Sequence, residues 1–185
     1  MIAAAVELIL THGTARTTLA AIGERAGYSR GLATYRFGSK GGLFEAVCRV
    51  ISRRWLSYLE AEVGAKVGIE AMCAATDAYF RWVRDNPEHA RALQILYTDA
   101  AQPGSEFRSA ASDSYTRQRR DVADWVRRGI ADGTVRADAD PASEAARFVA
   151  FIAGMTYQWL LTPEALDFEA IHRDFKQQIR RTLQP

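Results

Sequence analysis

Arg30, Gly31 and Thr34 lie within GYSRGLATYRFGSKGGL, residues 27 to 43, which sets five of the chain's thirteen glycines among Arg30, Arg36 and Lys40. No carboxylate occurs between Arg25 and Phe44. These residue types suit a polyanion. An arginine at a helix start can donate to a base edge, a glycine lets a backbone come close, and a threonine brings both a methyl and a hydroxyl to a major groove. Ser39, placed to cap the next helix, would leave free amides beside Lys40 as a seat for phosphate.

Catalytic chemistry finds no comparable grouping. His12, His89 and His172 are far apart, and none belongs to an HExxH or His-x-x-Cys arrangement. No glycine-rich phosphate loop follows a strand, and no G-x-S-x-G elbow occurs. GSKGGL lacks the G-x-x-x-x-G-K spacing. The expectation is therefore a protein that is not an enzyme, with no catalytic residue, no metal site and no cofactor.

The elements that must hold the basic stretch read as helices throughout, because apolar residues recur at three and four rather than at two. A first helix from about Ile2 to Thr11 buries Ile2, Ala5, Val6 and Ile9, and His12-Gly13 ends it. Thr18 caps a short helix from Leu19 to Ala26, which Gly27 closes. Ser29 is a second cap only three residues later, so the next helix turns sharply away in a helix-turn-helix. In that next helix Ala33 and Phe37 face the core. Arg30, Gly31, Thr34 and Tyr35 are left on the other side.

Charge follows the same division. Residues 1 to 54 hold eight basic against three acidic residues, a net of +5, while the remainder holds sixteen against nineteen, a net of −3. A short basic front on a mildly acidic body is the pattern of a chain that meets a polyanion at one end. Apolar residues at 48% and charged residues at 25% place the chain among globular proteins. Cys48 and Cys73 fall in helix-period apolar stretches, as buried reduced thiols do. The opening MIAAAVELIL carries Glu7 and no basic leader, and no run of eighteen apolar residues occurs, so a cytoplasmic protein without a membrane span is expected. Met1 enters the helical pattern with no capping residue before it, which predicts a leader segment ahead of this numbering.

Thr17-Thr18, Ile22, AGYSRG, Phe37 and GSKGGL with a helix following together resemble the DNA-binding domain of the tetracycline-repressor-like (TetR) family, over about residues 2 to 50. The resemblance implies base contacts at Arg30, Gly31 and Thr34. It implies phosphate contacts at Thr18, Tyr35, Arg36 and Lys40, with the Ser29 cap among them. The family usually carries Tyr at the position of Thr34, Thr at Leu32, Ala at Gly23 and Glu at Gly41. The alternative from another class is a helical protein-protein interaction module whose basic front binds a different acidic partner.

Beyond the basic front, a long helix from Leu43 to about Val63 leads toward GAKVG at 64 to 68, the best candidate break. The helix-turn-helix domain is set at 1–48, and an effector-binding and dimerisation domain at 49–185. Asn86-Pro87 and Asp140-Pro141 are cap-plus-proline signals that open helices. The remaining helices are expected at about 69–85, 87–101, 107–130, 141–161 and 167–183. AARFVAFIAGMTYQWLL, residues 145 to 161, is apolar almost all round, so one side must be covered by something outside its own bundle. A second copy fits, through Ala150, Gly154, Tyr157 and Leu161 with Phe175 and Ile179 of the last helix, and the resemblance also implies such a homodimer. Met72, Tyr79, Trp82, Tyr97, Phe107, Tyr115, Trp125 and Trp159 are candidate lining for a small, largely apolar effector of unnamed identity, a pocket that the resemblance implies. The expected whole is an all-α, ligand-responsive repressor that binds double-stranded operator DNA.

Overall fold

A computed structural model describes all 185 residues. Nine α-helices follow in order: α1 Ile2–Arg16, α2 Leu19–Arg25, α3 Arg30–Phe37, α4 Lys40–Val63, α5 Gly68–Asp85, α6 Pro87–Ala100, α7 Arg108–Ala131, α8 Pro141–Leu161 and α9 Phe168–Leu183, with a 3-10 turn at Pro163–Ala165. None is long and apolar enough to cross a membrane. Several starts are fixed by side-chain caps: Asp140 accepts from the amides of Ala142 and Ser143, and Asp167 from that of Ala170. Gly13 leaves helical geometry at φ 72°, yet one further turn follows it to Arg16, so α1 outlasts its expected end.

The chain forms two compact units, Met1–Trp55 with Asp85–Asp113, and Leu56–Arg84 with Ser114–Pro185. This division differs from a cut at residue 48, because the chain returns. Within the first unit α6 packs on α1, where the Thr14 hydroxyl donates to Asp99 Oδ1 at 2.8 Å. Phe107 is buried edge-on to Phe44, with ring centroids 6.5 Å apart, and is stacked by Tyr97 at 6.4 Å. Ile9, Ile22, Leu43, Val47 and Leu96 complete that core.

In the second unit the core is built from α5, α7, α8 and α9. Phe175 stacks on Phe151 with centroids 3.6 Å apart and meets Phe148 at 5.6 Å. Gly129 and Gly68 let the end of α7 pass the start of α5, since a Cβ on Gly129 would stand 2.6 Å from the Gly68 Cα. Arg136 closes the far end of α9: its amide donates to the Leu183 carbonyl at 2.9 Å and its Nε to that of Thr182 at 2.8 Å. A cation there also complements the helix dipole.

Candidate nucleic-acid interface

The corner before α2 is set by two threonines with different tasks. Thr17 is fully buried and donates to the Gly13 carbonyl at 2.8 Å, while exposed Thr18 caps α2 by accepting from the Ala21 amide at 3.1 Å. Gly27, at φ 73°, then turns the chain, and the Tyr28 amide donates to the Gly23 carbonyl at 2.8 Å. A Cβ on Gly23 would lie 3.0 Å from the Ser29 carbonyl oxygen. That crowding accounts for a glycine in a helix interior, where it costs about 1 kcal/mol relative to alanine. Ser29 caps α3 by accepting from the Leu32 amide at 3.2 Å. Gly38, at φ 71°, ends it.

Ala33 is the one fully buried residue of α3, with Phe37 half-buried, so almost the whole surface of this two-turn helix is free. Each residue turns the helix by about 100°. With Ala33 inward, Gly31 and Tyr35 therefore point away from the protein, and Leu32 and Thr34 lie on opposite flanks. Arg30, Gly31, Thr34, Tyr35 and Arg36 are all exposed, Tyr35 by 89%. The residues of α3 expected at DNA are thus all exposed, spread to either side of Gly31 and Tyr35. Arg25 behaves differently, because Glu7 of α1 takes its guanidinium in an ion pair. The same hydrogen bond holds the Glu7 carboxyl below the usual range.

At the start of α4 the expected phosphate seat is already taken. The Gly41 amide donates to Glu106 Oε2 at 3.0 Å and the Gly42 amide to Ser39 Oγ at 3.1 Å. Glu106 supplies a carboxylate to this helix N-terminus from the segment before α7, at the position where the TetR pattern usually has a glutamate of its own. Its chain distance of 65 residues hides it from any spacing argument. Lys40 is likewise engaged rather than free. Its Nζ donates to the Ala15 carbonyl at 3.4 Å and lies 5.6 Å from the Phe44 ring centre. Sequence spacing also gave no prominence to Tyr28 and Leu32, which are 52% and 43% exposed beside the reading face. Counting turns from Ala33 would have placed Leu32 there.

The residues expected to line an effector pocket divide between the units. Tyr97 and Phe107 belong to the first, where Phe107 is core. In the second, Met72 is core, and Tyr79, Tyr115, Trp125 and Trp159 pack against the same cluster. Tyr79 lies 5.9 Å from the buried Trp82, and its hydroxyl is 2.9 Å from that of Thr156. Burial pushes the Tyr115 phenol up. Trp159, Phe168, Phe80 and His172 form a continuous aromatic stack. Asp77 Oδ1 meets His172 Nε2 at 2.7 Å and Lys176 Nζ at 2.6 Å, a cluster from α5 and α9 that the sequence did not announce.

The residues expected at a partner face differ in exposure. Ala150, Gly154, Tyr157 and Leu161 form an exposed stripe along α8, with Leu161 62% exposed. Phe175 and Ile179 do not join it. Both are buried in their own unit, where Phe175 packs between Phe148 and Phe151, so the apolar stripe of α9 is satisfied internally.

Residues 1–47 match the family of bacterial regulatory proteins described as tetR, and residues 68–184 match the BetI-type transcriptional repressor C-terminal family. No curated protein matches the chain. Among solved structures, the repressor SmeT of the Stenotrophomonas maltophilia multidrug efflux pump SmeDEF is similar at 22% identity, covering 100% of this chain and 88% of its own, with a TM-score of 0.81. The fatty acid degradation regulator FadR of Bacillus halodurans is similar at 15% identity, covering 97% and 95%, with a TM-score of 0.83. The regulator FadR of Bacillus subtilis, solved with stearoyl-CoA, is similar at 16% identity, covering 98% and 96%, with a TM-score of 0.83.

Proposed function

Because the chain belongs to the TetR family of bacterial transcriptional regulators, a family of non-enzymatic DNA-binding proteins, we propose that it represses transcription as a homodimer whose operator affinity falls when a small, largely apolar effector binds. One observation carries this reading: α3, capped at Ser29, leaves Arg30, Gly31, Thr34, Tyr35 and Arg36 uncovered in a segment, 26–43, that holds no carboxylate. Such a helix fits a major groove, and two subunits would read half-sites one DNA turn apart. The dimer contact is assigned to the free stripe of α8, where Ala150 and Gly154 permit close approach and Tyr157 and Leu161 supply apolar area. The effector site is assigned to the second unit, among Tyr79, Trp82, Tyr115, Trp125 and Trp159. An apolar ligand class is supported by those aromatics and by fold relatives solved with stearoyl-CoA and with triclosan.

Repression of this kind is a coupling between two sites. An effector that favours a spacing of the two α3 helices unmatched to successive grooves must itself bind more weakly to the operator-bound protein, by the same factor. Duplexes selected from a random pool provide the operator. Titration with stearoyl-CoA and triclosan as probes, with and without that duplex, is expected to show weaker ligand binding in its presence. Equal ligand affinity in both states would refute the coupling, and failure to retain any duplex would refute repression. A helical module for another acidic partner is not favoured, since both family matches are to transcriptional regulators.

A further inference from the structure

Leu32 is an apolar side chain on a reading surface that otherwise offers hydrogen-bonding groups. It is 43% exposed, and Tyr28, just before the helix, and Tyr35, three residues on, are themselves 52% and 89% exposed. The single fully buried residue of α3 is Ala33, and a leucine at the third position of a two-turn helix gains nothing from solvent. Its neighbour Gly31 carries the same message. A Cβ at Gly31 would meet only Ser29 Oγ, at 3.8 Å, so nothing inside the protein requires a glycine. Something outside does, if α3 is to lie closely against a surface.

We infer that Leu32 is a specificity-determining residue that reads the methyl group of one thymine in each half-site. This rests on the reading of α3 as the groove helix and names what one of its flanks selects. The floor of the major groove presents donors and acceptors at every base pair and one apolar group, the thymine C5 methyl. A leucine pressed against a donor or acceptor strips its water and returns no hydrogen bond. Against the methyl, both partners lose apolar surface to water. Leu32 therefore favours thymine and disfavours bases that place a polar edge at that position. Thr34, on the opposite flank, retains a hydroxyl for a polar edge, so the two flanks discriminate by different chemistry.

The test uses the full chain and an operator duplex selected from a random pool. Each thymine in a half-site is replaced in turn by deoxyuridine, which removes the methyl and leaves base pairing unchanged. The wild-type protein is expected to lose about four- to tenfold in affinity at one position per half-site, the burial of roughly one methyl group. Leu32→Ala is expected to bind the unmodified duplex more weakly and to be indifferent to deoxyuridine at that position. Leu32→Ser, with a hydroxyl in place of the apolar group, is expected to be equally indifferent there and to relax the preference for thymine. Far-ultraviolet circular dichroism and thermal melting confirm that both variants fold, as substitution at an exposed site should allow. The inference is overturned if no thymine is methyl-sensitive with wild-type protein, or if the variants keep the wild-type pattern at every position. Failure of wild-type protein to bind any duplex would instead overturn the groove reading beneath it.

Discussion

Replacing Gly31 by alanine should make the protein more stable and a poorer DNA binder at once. The added Cβ meets only Ser29 Oγ at 3.8 Å, an ordinary contact, and Gly31 lies within α3 with a negative φ. The folded state is therefore not strained, and the gain is that of alanine over glycine in a helix, about 0.5–1 kcal/mol near a helix start. Gly42→Ala is the contrasting case. There a Cβ would stand 2.2 Å from the Phe37 carbonyl oxygen, a backbone atom, so the start of α4 must shift from the end of α3. Forced repacking outweighs the helix-propensity gain and should cost about 2 kcal/mol. Urea unfolding at constant slope reads both effects as opposite shifts of the midpoint. On DNA, the Gly31→Ala methyl enters the space between helix and groove. Overpacking of about 1–3 kcal/mol lowers operator affinity about five- to a hundredfold at fixed salt. A loss of stability in Gly31→Ala, or an unchanged operator affinity, would refute the claim that this glycine serves a surface outside the chain.

Two further outcomes follow from contacts within the units. The Cβ of Gly41→Ala would crowd the Glu106 Cβ at 2.9 Å, so this substitution should destabilise the wild-type protein by about 1–3 kcal/mol but much less in a Glu106→Gly background, which lacks that atom; additive costs in a double-mutant cycle would show that the two do not touch. Glu7, Asp132, Asp138 and Asp140 are held below the usual carboxylate range by Arg25, Thr134, Arg136 and Ser143 respectively. A lowered folded-state pKa gives stability that is complete above the unfolded value near pH 4 and is lost as pH falls through the folded values. The melting temperature should therefore drop on acidification below about pH 4, less steeply in Asp140→Asn; a melting temperature unchanged down to pH 3 would contradict these contacts.

Helix boundaries were legible because they are written locally. Ser29, Asp140 and Asp167 each cap the helix that follows them, and Gly27, Gly38 and Gly133 take the positive φ that ends or turns a segment. Destination was not legible to the same degree. Asn86-Pro87 marks where α6 starts, yet nothing in that signal says that the helix lies on α1 and places Tyr97 beside Phe107 in the first unit. The stripe of α9 was read as outward, whereas Phe175 and Ile179 point into the unit's own core. Periodicity fixes which side of a helix is apolar, and leaves open what covers it. Glu106 shows the same limit for polar groups: the amide it satisfies is 65 residues away.

The glycines supply a criterion that periodicity lacks. Seven of the thirteen adopt positive φ, where side chains are disfavoured. Gly23, Gly41, Gly42 and Gly129 lie where a Cβ would crowd other atoms of the chain. Two remain, Gly31 and Gly154, both helical, both exposed, with no neighbour closer than 3.8 Å to a Cβ at the first and none within 4 Å at the second. A glycine costs about 0.5–1 kcal/mol near a helix start and about 1 kcal/mol in a helix interior, and at these two positions nothing within the chain offsets that cost. Each lies at the centre of a face assigned on other grounds to an external surface, Gly31 among the exposed residues of α3 and Gly154 in the stripe of α8. The unexplained glycines and the uncovered faces thus mark the same places, one suited to a nucleic acid and the other to a second subunit.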